Sequence, residues 1–222
     1  MSSNFYFTEI DTHENNHDFR KGLLFFMIPG TMAAIAGFIN GSYVVSNSDY
    51  YRLLLPQLTE EQLSQICQPL YLACIAPIFT QLFFIFVVSL VVYIGYYLAT
   101  RQKFGTIFKC AALSQTVFAV MYIIYYSLLG FGGLPECAAA LSTYPLSLAS
   151  LFDVCRLDMW MVPTLSYVNV FEIVYMALLA YLLSKSVKQK YKESLKMVLY
   201  TYGVLLLLIV VSVSAGYVFM SE

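Results

Sequence analysis

Residues 62–100 read QLSQICQPLYLACIAPIFTQLFFIFVVSLVVYIGYYLAT, 39 residues between Glu61 and Arg101 without one Asp, Glu, Lys or Arg. A bilayer explains such a run. About 20 apolar residues cross its hydrocarbon core as a helix, and a charge at mid-span costs roughly 2.5–3.5 kcal/mol on insertion scales. Working outward, four more stretches have the same character. The expected spans are residues 22–45, 70–99, 107–131, 163–183 and 195–219. Each is apolar nearly all round, and in lipid only helices satisfy such a backbone. The chain therefore reads as an all-α polytopic membrane protein, a bundle of five transmembrane helices. Residues 1–21 form a short cytoplasmic tail and residues 22–220 one membrane domain.

Composition agrees. Hydrophobic residues make up 60% of the 222 and charged residues 11%, against about 25% charged in soluble domains. The net charge of -1 says nothing about partners, and no feature of the sequence points to nucleic acid. The tail is acidic (Glu9, Asp11, Glu14, Asp18) where a secretory signal opens basic, so the first span is expected to be an anchor.

The placement of cations orients the bundle. Arg20, Lys21, Arg101, Lys103, Lys109, Lys185, Lys188, Lys190, Lys192 and Lys196 fall on one side, ten in all, and Arg52 and Arg156 on the other. The expectation is an N-terminus inside and a C-terminus outside. Two outer loops follow. Thr59-Glu60-Glu61-Gln62, with Leu63, Ile66 and Leu70 at helical spacing, predicts a short interfacial helix. The second loop, residues 132–162, is expected to cover the outer mouth of the bundle, with another short interfacial element and Trp160 at headgroup level.

Few residues carry chemistry. Glu172 is the acid well inside a span, about 13 Å down a helix begun at Pro163, with Asn169 and Tyr175 a turn to either side. Intramembrane acids point to ion or proton pathways. The alternative is a span that begins near Tyr167, leaving Glu172 at the interface or bonded to a neighbour. Asn40, Gln81 and Gln115 either extend a polar path or join helices by hydrogen bonds. Ala33, Gly37 and Gly41 form a small-residue helix-packing face, within the chain or between copies. Lys185, Lys188, Lys190 and Lys192 form a basic loop suited to anionic lipid, to an acidic partner, or simply to topogenesis.

Of five cysteines, Cys137 and Cys155 are the candidate disulfide, because the pair closes one outer loop. His13 and His17 sit four apart in the tail, too few to specify a metal, so no metal or cofactor is expected. No HExxH, GxSxG, glycine-rich phosphate loop or paired catalytic carboxylate occurs, and an enzyme is not expected.

Three segments resemble a known family: Leu58 to Leu63; Arg101 to Lys109; and Asn169 through Lys185 continuing as Tyr191 to Lys196. They are similar to the outer helix, the basic turn and the final hairpin of the Yip-domain (Ypt/Rab-interacting) membrane proteins, a likeness running over about residues 20–220. The resemblance implies five spans with the N-terminus inside and no catalytic residues. Eukaryotic members lie in endoplasmic reticulum and Golgi membranes, contact small GTPases and carry long cytosolic tails. The short tail here resembles the bacterial branch, which implies the cytoplasmic membrane. Two functions follow as expectations. The first is a non-enzymatic scaffold or accessory subunit, or a protein of membrane organisation or trafficking, that binds lipid and other membrane subunits or itself. The alternative is a small transporter, channel or lipid-moving protein.

Overall fold

The computed structural model describes residues 30–32, 34–36, 38, 70–132, 137, 140, 143–158 and 160–221. Gly30 to Met32, Ala34 to Ala36 and Phe38 are helical. The rest comprises α1 (Leu70–Thr100), α2 (Phe104–Ser114), α3 (Thr116–Gly132), two 3-10 turns (Leu148–Leu151 and Val154–Arg156), α4 (Met161–Tyr167), α5 (Val170–Val187), α6 (Tyr191–Val198), a π-helical turn (Leu199–Gly203) and α7 (Val204–Ser221). Among the described residues there is no strand, and the one isolated bridge joins Ser147 to Asn169.

Four helical segments are long and apolar enough to cross a membrane: Phe79–Ala99, Phe104–Leu129, Val170–Val187 and Tyr191–Tyr217. The shortest, 18 residues, rises about 27 Å at 1.5 Å per residue, close to the roughly 30 Å hydrocarbon thickness. The chain is an integral membrane protein built from helices. Outside the described residues lie most of the expected first span and the expected helix at residues 59–63.

The faces of α1 show how an all-apolar helix is sorted. Phe79, Phe83, Phe86, Leu90, Ile94 and Leu98 form one exposed stripe, while Gln81, Ile85, Val88, Ser89, Val92 and Tyr96 are buried. Large apolar side chains face lipid, and the face with smaller and polar groups faces protein, as expected where hydrophobicity alone does not drive helices together. The core joins this face to Ile107, Phe108 and Ala111 of α2, Phe118 of α3 and Tyr175, Leu179, Ala180 and Leu183 of α5. Alanines at 111, 112 and 180, all fully buried, let α2 and α5 approach closely. Several serine hydroxyls in the helices are satisfied locally. Ser89 donates to the Ile85 carbonyl at 2.6 Å, Ser114 to Cys110 at 2.9 Å and Ser214 to Val210 at 2.7 Å.

Three expected helices are not continuous. The one expected at 107–131 is interrupted at Gln115, between α2 and α3. Ser114 and Thr116 flank the interruption and bond back to Cys110 and Leu113 carbonyls, in competition with the helix's own hydrogen bonds. The one expected at 195–219 contains the π turn.

The helix expected at 163–183 is a correction of substance, because it is two helices. The Leu148 amide donates to the Val168 carbonyl at 2.8 Å, and the Val170 amide to the Leu146 carbonyl at 3.2 Å. Those bonds hold residues 168–169 extended, so α4 stops at Tyr167 and α5 starts afresh at Val170. The described part of the second loop thus holds a pair of 3-10 turns and leads into α4, clamped to the start of α5. α4 also leans on α7, where Thr164 and Ser214 hydroxyls meet at 2.5 Å.

Candidate intramembrane polar site

Asn169 is the N-cap of α5. Its side-chain oxygen accepts from the Glu172 amide at 2.9 Å, and its amide nitrogen donates to the Ser166 carbonyl at 3.0 Å. Capping satisfies a helix-end donor that has no partner within the helix. Asn169 thus does not share a helix face with Glu172, as a helix begun at Pro163 would require. Glu172 sits in the first turn of α5, where a helix N-terminus favours negative charge.

The Glu172 side chain is 7% exposed, and its Oε2 accepts a hydrogen bond from the Tyr202 hydroxyl at 2.7 Å. Tyr202 comes from the π turn. A π turn adds a residue to the helical repeat and re-aims the side chains within it, and such turns recur at functional sites. The Tyr202 ring packs 4.9 Å from that of Tyr175, which lies 4.9 Å from that of Phe118. Tyr175 is fully buried, and its hydroxyl has no hydrogen-bond partner. The site thus links α5, the π turn and α3 through one carboxyl, two phenols and a phenyl ring.

The other polar residues do not join it. Gln81 and Gln115 are buried, each with an unpartnered side-chain oxygen. Among the described residues no hydrogen bond connects either of them to Glu172. Asn40 lies outside the described residues, as do Ala33, Gly37 and Gly41. Among the described residues a close helix contact occurs at Gly95 of α1, where a Cβ would strike the Thr201 methyl of the π turn. The sequence reading missed Gly95 and Tyr202. The signal available was a lone glycine in a span and a tyrosine one helix away from an intramembrane acid.

The basic loop is placed at the α5–α6 turn. Lys185 lies over the Tyr181 ring at 5.7 Å, Lys188 ends α5 in a left-handed conformation, Lys190 precedes α6 and Lys192 is exposed within it. Cys137 and Cys155 are joined by a disulfide, with Cα atoms 5.9 Å apart. Cys110 is buried, its sulfur 3.4 Å from the Ser186 hydroxyl. Tyr144, in the loop, packs edge-on against Tyr122 and Tyr125, and burial raises its hydroxyl above the ordinary tyrosine value, with Tyr167 adding to the effect. Among the described residues no three His, Cys, Asp or Glu side chains cluster to hold a metal. His13 and His17 lie outside them.

Chemically, the site offers a single carboxyl with a neutral donor. It can keep or exchange one proton, and among the described residues no second acid or cation is bonded to it. No family model, curated protein or solved structure matches the chain.

Proposed function

We propose that the protein is a non-enzymatic membrane scaffold or accessory subunit of the Yip-domain type. It has five spans with the N-terminus inside, and it sits in the cytoplasmic membrane of a bacterium. The observation that carries this reading is the local pairing of its polar groups. Asn169 serves as a helix cap, Glu172 takes the Tyr202 hydroxyl, and the glutamines join no chain of hydrogen bonds with them. Among the described residues no hydrogen bond extends the Glu172–Tyr202 pair into the continuous polar path that a transporter needs. The exposed apolar stripes of α1 and α7 (Leu207, Leu208 and Val211 among them) offer surfaces for lipid or for another membrane subunit. The resemblance over residues 20–220 and the ten-to-two distribution of cations support the topology.

Affinity purification of the full chain from native membranes in mild detergent, with the particle mass and co-purifying chains identified, tests this. A stoichiometric membrane partner or a defined homo-oligomer is expected. A lone monomer counts against the reading. The buried carboxyl of Glu172 favours one second reading, transport of a proton or small solute. Its signature is flux in liposomes that Glu172→Gln abolishes.

A further inference from the structure

Both basic turns of the bundle place a cation where the backbone favours glycine. Arg101 follows α1 at φ 53°, and Lys188 follows α5 at φ 56°. Left-handed backbone strains any residue with a Cβ, and glycine or asparagine is the usual occupant at a helix end. The turn at Lys188 is otherwise a standard helix stop, with the Lys188 and Gln189 amides both donating to the Ser184 carbonyl. A long charged side chain at each strained position adds nothing to that stop.

The two turns lie at one end of the bundle. The Cys110–Ser186 contact of 3.4 Å ties α2, the helix that follows the first turn, to the end of α5. Near the end of α1, Gly95 abuts Met197 at the end of α6 and Thr201 in the π turn that follows. Arg101 and Lys103 in the first turn thus join Lys185, Lys188, Lys190 and Lys192 in the second, all exposed. Across residues 95–112 and 183–198 the lone acid is Glu193. Among the described residues no ion pair engages Arg101, Lys188, Lys190 or Lys192. The positions also match a membrane surface. The candidate span Phe79–Ala99 ends two residues before Arg101, and Val170–Val187 ends one residue before Lys188.

We infer that this end of the bundle binds the phosphate headgroups of anionic phospholipids, with Arg101 and Lys188 as anchoring cations on two adjacent turns. The inference rests on these helices crossing the bilayer and is independent of whether the protein serves as a scaffold. Lipid is favoured over an acidic protein because both cations sit at the ends of spans, at headgroup depth, rather than on a projecting domain.

The test is thermal melting of the full chain in a neutral maltoside detergent, titrated with phosphatidylglycerol or phosphatidylcholine. Phosphatidylglycerol should raise the melting temperature, less so in high salt, and phosphatidylcholine should not. Lys188→Gly should leave the lipid-free melting temperature equal or higher, because strain is relieved. It should also require about five-fold more phosphatidylglycerol for half the shift, each cation near an anionic surface contributing about 1 kcal/mol. Lys188→Arg should retain wild-type behaviour, and Arg101→Gly with Lys188→Gly should weaken binding further. If Lys188→Gly melts lower than wild type, Lys188→Asn, neutral and tolerant of the same backbone, replaces it. Three results would overturn the inference: equal shifts from both lipids, an unchanged half-point in the neutral variants, or the same shift from inorganic phosphate or polyglutamate without lipid.

Discussion

The Tyr202 hydroxyl reaches 2.7 Å to Oε2 of Glu172 and joins two helical segments through the one acid inside α5. Interhelical hydrogen bonds in lipid are worth about 0.6–2 kcal/mol. Tyr202→Phe removes the donor and should destabilise the detergent-solubilised protein by about that amount. Glu172→Gln keeps an acceptor at the same place, so its melting temperature should stay near wild type. Glu172→Leu leaves the Tyr202 hydroxyl unpaired in a buried site and should cost about 1–3 kcal/mol. Equal destabilisation by the Gln and Leu variants would show that the acid does more than accept this bond.

Gly95 allows α1 to touch the π turn. A methyl at Gly95 would collide with the Thr201 γ-methyl, and Thr201 cannot swing aside freely because its hydroxyl donates to the Met197 carbonyl at 2.8 Å. Gly95→Ala should therefore destabilise by about 1–3 kcal/mol, the usual range for overpacking. Thr201→Ser removes the obstructing methyl and keeps the hydroxyl. The double variant should recover most of the loss, a coupling that a double-mutant cycle in melting temperature reads directly. Simple additivity would place the clash elsewhere.

The membrane character of the chain was legible because lipid imposes a rule on composition alone: the 39 uncharged residues before Arg101 need no knowledge of the fold. Where the helices break was not legible, since the breaks depend on partners distant in sequence. Residues 163–183 look continuous because the bonds that stop α4 come from Leu146 and Leu148 in the preceding loop. Asn169 was noticed for its polarity, but its role as a cap depends on that stop. Nothing local marks the π turn at Leu199–Gly203, and with it the aim of Tyr202 toward Glu172 was out of reach. The left-handed residues Arg101 and Lys188 escaped notice for the converse reason, that the usual glycine signal is absent at both positions.

Asn169 makes a separable contribution at the start of α5. Asn169→Ala removes the cap to the Glu172 amide and the bond to the Ser166 carbonyl and should cost about 0.5–2 kcal/mol. Asn169→Asp keeps an oxygen for the cap and adds a favourable charge at the helix N-terminus, but it loses the donor to Ser166. The expected order of melting temperatures is wild type, then Asp, then Ala. An Asp variant no better than Ala would mean that the Ser166 bond, not the cap, holds the junction.

The Cys137–Cys155 disulfide closes a segment with a sequence separation of 18 residues, within which Leu146 and Leu148 clamp the junction before α5. In the chain-entropy account, a loop of this size contributes about 3 kcal/mol by restricting the unfolded chain. A reductant, or Cys137→Ser with Cys155→Ser, should therefore lower the melting temperature. The geometry also predicts a local effect. The Leu148 and Val170 amides, bonded to the Val168 and Leu146 carbonyls, should lose hydrogen-exchange protection before the core of α5 around Tyr175 and Leu179 does. Uniform loss along α5 would mean instead that the disulfide supports the whole bundle, and unchanged protection at both amides would separate the disulfide from the clamp altogether.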